Sequence, residues 1–136
     1  MKEEAYKLLL KESTNILNNL NIDYVVMKTL NRITNNLKPE DIDILILSDT
    51  NLTKLLHEML KNNYKIKNLS PAEIRLTKNG FETPRLDIYL GIKYLGIDFS
   101  YIKNAISKNG KEKIEKYNLI IPIPAPEYEL ILEILH

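Results

Sequence analysis

The run Asp41-Ile42-Asp43-Ile44-Leu45-Ile46-Leu47 constrains this chain more than any other segment. It is isoleucine-rich, short and continuous, as a strand buried on both faces would be. Alternate side chains of a strand share a face. Asp41 and Asp43 therefore project together, with α-carbons about 6.5–7 Å apart from the strand rise. Two carboxylates so placed repel unless a cation lies between them or one takes a proton. Hard oxygen donors at this spacing suit Mg²⁺ or Mn²⁺, which bind through one or two carboxylates plus substrate phosphates. The plainer account is that Asp41 merely opens the strand or caps a loop, because Asp-x-Asp pairs arise often by chance.

A third carboxylate on a neighbouring strand would complete a two-metal site for in-line phosphoryl or nucleotidyl transfer. Asp87 is the best candidate, an acid inside Arg85-Leu86-Asp87-Ile88-Tyr89-Leu90, a segment otherwise built for burial. A lone buried carboxylate is expensive, so something must compensate for it. The compensation is either a metal ion or a basic partner such as Arg85. Asp98, in Gly96-Ile97-Asp98-Phe99, is the rival, although a helix cap explains it more easily.

Periodicity predicts an amphipathic helix over 3–20, with Leu8, Leu9, Ile16, Leu17 and Leu20 on its apolar side. A buried strand over 22–27 follows, then a polar connection over 28–40 and the acidic strand over 42–47. Ser48-Asp49-Thr50-Asn51 offers N-caps for a helix over 51–62, whose apolar face is Leu52, Leu55, Leu56, Met59 and Leu60. Short strands are expected over 64–69 and 73–78, and Asn79-Gly80 suits a two-residue hairpin turn before a strand over 85–90. A further strand over 93–97, a helix over 99–108 stopped by Asn109-Gly110, and a charged helical turn over 111–117 complete the middle. Ile120 to Pro126 cannot be a central strand, since proline has no ladder donor. It is read as an extended arm leading into a last helix, with Pro126 in its first turn. This order describes a single α/β (α+β) domain over residues 1–136, a mixed β-sheet flanked by helices.

Composition narrows the chemistry. The 136 residues contain no cysteine, which excludes disulfides, thiolate metal sites and cysteine nucleophiles. The formal net charge of +1 advertises neither nucleic acid nor an anionic membrane as partner. The apolar runs fall far short of the roughly 20 residues of a membrane helix, and the N-terminus lacks a signal-peptide pattern. A cytoplasmic protein with no membrane partner is expected. His57 falls off the leucine stripe as a lone surface histidine, and His136 is terminal. Arg32, Lys38 and Arg75 would meet phosphate only if they face the acidic strand. No Walker-type loop, nucleophile elbow or aromatic platform is present.

The order of elements resembles the minimal nucleotidyltransferase superfamily, the polymerase-β-like fold. Ile22 to Lys28 stands for its first strand, Asp41-Ile42-Asp43-Ile44-Leu45-Ile46 for its metal strand and Leu86-Asp87-Ile88-Tyr89 for its third acidic strand. The ending Pro122-Ile123-Pro124-Ala125-Pro126-Glu127-Tyr128-Glu129-Leu130 is similar to the Pro-rich arm and helix of such proteins. The resemblance implies that Asp41 and Asp43 bind Mg²⁺ or Mn²⁺ and that Asp87 bridges the ions or acts as base. A nucleoside triphosphate would be the substrate, an unknown hydroxyl the acceptor, and pyrophosphate the leaving group. One position departs from the family. Lys28-Thr29-Leu30 stands where a Gly-Ser turn holds the phosphates, and without glycine the backbone approaches a triphosphate less closely. Lys28 and Thr29 would then hold phosphate by charge and hydroxyl, or Lys28 simply solvates the strand end. The altered turn keeps a second expectation open, a non-catalytic binding or regulatory module of antitoxin-like kind. A second copy or a partner chain would supply whatever acceptor surface so small a domain lacks.

Overall fold

A computed structural model describes residues 2–27, 41–47, 51–80, 84–90, 111–114 and 119–122. Two helices, α1 (Lys2–Asn19) and α2 (Leu52–Lys61), accompany seven strands among these residues. The strands are β1 (Tyr24–Met27), β2 (Ile42–Ile46), β3 (Tyr64–Leu69), β4 (Glu73–Lys78), β5 (Leu86–Leu90), β6 (Lys111–Ile114) and β7 (Leu119–Pro122). β1 to β5 form a five-stranded sheet in the order β1-β2-β5-β4-β3, and β6 and β7 form a separate two-stranded sheet. The β2–β5 pair is parallel and the other pairs are antiparallel. The architecture is the expected mixed sheet with helices packed on it.

Pairing register sorts the strand residues into two faces. On one, Val26, Ile44, Ile88 and Ile74 line up across four strands, flanked by rows through Ile42, Leu86 and Leu76 and through Tyr24, Ile46 and Leu90. All belong to one core cluster with Tyr6, Leu9, Leu10, Ile16 and Leu17 of α1 and Leu55 and Met59 of α2. Both helices therefore cover this face, and Ile121 of β7 joins the same cluster beside β1.

α1 buries Tyr6, Leu9, Leu10, Ser13, Ile16 and Leu17, one helical stripe, while Leu8 is exposed. This corrects the expected stripe, which included Leu8 and lacked Leu10. The consecutive leucines at 8–10 leave the helical phase open, and Tyr6 settles it. Ser13 and Thr14 tolerate burial because their hydroxyls donate to the Leu10 carbonyl, at 3.3 and 2.7 Å. Asn51 caps α2 by accepting from the Lys54 N–H, and Leu60, expected on its apolar face, is exposed. His57 is exposed, as its place off the stripe suggests.

Two turns differ from expectation. Gly80 does take the left-handed φ of +91° that a turn requires, but Asn79-Gly80 is not a two-residue hairpin. The β4–β5 pairing ends at Leu76 and Leu86, while the Asn79 N–H still donates to Asn63 next to β3. The tight connection is instead Ser70-Pro71-Ala72 between β3 and β4, where the Ser70 hydroxyl accepts from the Glu73 N–H at 3.1 Å. Residues 111–114 form strand β6 rather than a helical turn, paired with β7. Pro122 ends β7 in that two-stranded sheet, in keeping with its exclusion from a central strand. The expected strand over 93–97, the helix over 99–108 and the last helix lie outside the described residues. No described helix is long and apolar enough to cross a membrane.

Candidate functional site

The second face of the sheet carries the polar residues. β1 and β2 place Met27 beside Asp43, β2 and β5 place Asp43 beside Asp87, and β5 and β4 place Asp87 beside Arg75. One pleat further along lie Val25, Leu45, Tyr89 and Glu73. Neighbouring strands run about 4.8 Å apart, so the Asp43 and Asp87 carboxylates emerge side by side. Both are buried, at 7% and 2% exposure, which raises the cost of two like charges.

Arg85 answers much of that charge. It lies two residues before Asp87, on the same face, and its guanidinium grips the Asp87 carboxylate with two parallel bonds. Nε donates to Oδ1 at 2.6 Å and Nη2 to Oδ2 at 2.9 Å. Nη2 also lies 3.2 Å from Oδ2 of Asp41. The bidentate fork is the strongest form of this ion pair and sets the orientation of both groups. That fork, with the nearby Asp41 charge adding to it, pushes the Arg85 pKa further above its already high ordinary value.

Main-chain bonds fix the same corner. The Arg85 N–H donates to Asp41 Oδ1 at 3.0 Å, and the Ile42 N–H donates to the Arg85 carbonyl at 2.8 Å. Asp41 thus closes the start of the β2–β5 ladder with one oxygen and meets the guanidinium with the other. The Tyr89 hydroxyl donates to Asp43 Oδ1 at 3.3 Å. At the margin, Arg75 pairs with Glu73 at 2.5 Å and stays well exposed, its pKa raised by that hydrogen bond.

The structure thus brings Asp41, Asp43 and Asp87 to one face of two adjacent strands. Arg85, treated from sequence as the alternative to a metal, is the partner of Asp87. Tyr89 was missed, although the rule that groups Asp41 with Asp43 also groups Arg85, Asp87 and Tyr89. Among the described residues, no three His, Asp or Glu side chains converge closely enough to hold a metal ion as they stand. Lys28, Thr29, Arg32, Lys38 and the rival Asp98 lie outside the described residues. β1 nevertheless ends at Met27, the register partner of Asp43, so the chain enters the segment from Lys28 at the acidic end of the sheet.

No family model matches the chain, and no curated protein matches it.

Proposed function

We propose that this chain is a divalent-cation-dependent nucleotidyltransferase of the polymerase-β-like superfamily, acting from a nucleoside triphosphate on an acceptor hydroxyl. The observation that carries the reading is the in-register pairing of Asp43 with Asp87 on parallel strands, with Asp41 one pleat away on the same face. An all-oxygen donor set of this kind fits Mg²⁺ or Mn²⁺ and not a thiolate-loving metal. Asp41, Asp43 and Asp87 would hold the ion, whose contribution is to neutralise charge on the transferring phosphate.

In the reaction, the acceptor oxygen bonds to the α-phosphorus. The bond from that phosphorus to the bridging oxygen breaks, and pyrophosphate leaves with the electron pair. The hydroxyl proton passes to a carboxylate, and Asp87 is assigned that role. Lys28 and Thr29 follow directly after the partner of Asp43 and are assigned to the phosphates. The acceptor surface would come from the rest of this chain, a second copy or a partner chain.

Arg85 favours a second reading, a non-catalytic nucleotidyltransferase-fold module of binding or regulatory, antitoxin-like kind. There the guanidinium would serve as the permanent counter-ion of Asp87, and no metal would be needed. Calorimetric titration with Mg²⁺ or Mn²⁺ plus each nucleoside triphosphate separates the two. The enzymatic reading expects metal-dependent nucleotide binding that Asp43→Ala abolishes, followed by pyrophosphate release in mixed triphosphates. Absence of any metal-dependent nucleotide binding would sink it. Binding without pyrophosphate release across a panel of hydroxyl acceptors favours the module.

A further inference from the structure

We infer that Arg85 is a latch on the acidic site: its guanidinium and a divalent cation compete for the same oxygens of Asp41 and Asp87, so the cation binds only as the Arg85–Asp87 fork opens. The inference rests on the proposed metal site and adds to it a built-in control of when that site forms.

The fork engages both oxygens of Asp87, and the same guanidinium reaches Oδ2 of Asp41. A cation bound between those carboxylates would sit against a fixed positive charge, and like charges at such range repel strongly when partly desolvated. One of the two must leave. The partner able to move is identified by burial: the Asp87 side chain is 3% exposed and the Arg85 side chain 34%. Asp87 lies inside the β2–β5–β4 pairing, whereas the guanidinium reaches solvent at the end of a flexible stem.

Opening the latch need not disturb the strands. Asp41 remains tied through Oδ1 to the Arg85 main-chain N–H, and the Ile42 N–H to the Arg85 carbonyl. The strands keep their places while the guanidinium swings away and frees the Asp87 carboxylate and Oδ2 of Asp41 to turn toward a cation. This accounts for described donors of the right kind that share a face but do not converge: the guanidinium holds the Asp41 and Asp87 oxygens toward itself. A triphosphate offers the displaced, planar guanidinium a pair of phosphate oxygens to grip in exchange for Asp87. Nucleotide and cation then bind with positive linkage, each paying less once the other has opened the fork.

Two measurements on the full chain test the latch, with Mn²⁺ or Mg²⁺ alone as probe. The first is Mn²⁺ affinity, read from the free-ion electron paramagnetic resonance signal, for the wild type and Arg85→Gln. Removing the competing charge is expected to tighten Mn²⁺ binding on the order of tenfold. The second needs no variant. The Arg85 Nε–H resonance of the ¹⁵N-labelled wild type is expected to shift along the same saturation curve as Mg²⁺ binding. Equal or weaker Mn²⁺ binding by folded Arg85→Gln, or a resonance unmoved at Mg²⁺ saturation, would overturn the latch and leave the metal site standing. If neither protein binds Mn²⁺, the metal site fails and the latch falls with it.

Discussion

The same strands build both faces of the five-stranded sheet, and the faces differ only in which alternate residues they show. One face stacks Val26, Ile44, Ile88 and Ile74 in a row beneath two helices. The other, at the neighbouring position of each strand, stacks Met27, Asp43, Asp87 and Arg75. The first row needs no explanation beyond the transfer of apolar surface out of water. The second places two buried carboxylates side by side and then requires an arginine and a tyrosine to make them tolerable. Stability gives little reason for such a row, since apolar residues of similar volume often serve as well or better in place of a buried ion pair. The sheet packs its core with one face and gathers its charged groups on the other.

The largest expected effect lies on the apolar face. Ile88 is wholly buried, between Ile44 and Ile74 in the ladder. Ile88→Ala is expected to cost about 3–4 kcal/mol, the transfer loss plus the cavity left behind. Urea unfolding checks this as a lower midpoint at unchanged slope. A loss under about 1 kcal/mol would mean that this face is not the packed core of the domain.

On the acidic face, Arg85→Ala strands the Asp87 charge. The expected loss is about 2–3 kcal/mol, below the roughly 3–5 of a fully buried pair because the guanidinium is partly solvated. The double change Arg85→Met with Asp87→Leu is expected to recover most of that loss while abolishing Mn²⁺ binding. This pair of outcomes tests the contrast directly. A double variant no more stable than Arg85→Ala would make the ion pair a structural necessity, and the two faces would then differ less than their chemistry suggests.

Much of this contrast was legible in the sequence because strand periodicity is local. Alternation within Asp41 to Leu47 and Arg85 to Leu90 assigns each residue to a face without knowledge of the partner strand. It placed Asp41 with Asp43, and applied to the second segment it also groups Arg85 and Tyr89 with Asp87. Pairings between distant segments were not legible in the same way. That Asp43 and Asp87 are register partners depends on a parallel ladder between segments separated in the chain by α2, β3 and β4. The strand β6 gives no signal in the sequence for the same reason. Its alternating charges carry no hydrophobic period, and its strand conformation is set by pairing with β7. Asn79-Gly80 is a turn by its own chemistry, yet the length of the connection is decided by Asn79 holding on to Asn63.

Two buried tyrosines of the apolar face sharpen the contrast further. Burial pushes the Tyr24 hydroxyl up to about 12, against a partial offset from its hydrogen bond with Asn18. Burial and the nearby Glu12 carboxylate likewise raise Tyr64. A raised pKa means that the folded state keeps the proton longer than the unfolded chain does. The stability tied to Tyr24 is therefore intact below about pH 10 and is lost as pH climbs from there to about 12. The loss is on the order of 2 kcal/mol. Tyr24→Phe removes this limb and lowers stability by a constant amount at every pH through the lost Asn18 bond. The stability difference between wild type and variant, measured from pH 8 to 12, should therefore shrink or reverse only above about pH 10. A constant difference across that range would show that Tyr24 does not titrate with unfolding.

The smallest expected effect separates two arginines that flank one carboxylate. Arg75 is the register partner of Asp87, and Arg85 lies two residues before it, so both stand on the acidic face. Their commitments differ. Arg85 gives its fork to Asp87, whereas Arg75 turns to Glu73 and leaves its side chain 41% exposed. An ion pair between neighbours on one strand whose arginine is well exposed contributes little, because water and salt screen it and both side chains lose freedom to make it. Arg75→Ala is expected to leave the urea midpoint unchanged. It is also expected to tighten Mn²⁺ binding by less than Arg85→Gln does, since its charge acts on Asp87 without touching it. Equal gains in Mn²⁺ affinity from the two variants would mean that bulk positive charge sets the site's affinity. An effect confined to Arg85 assigns that control to the fork on Asp87.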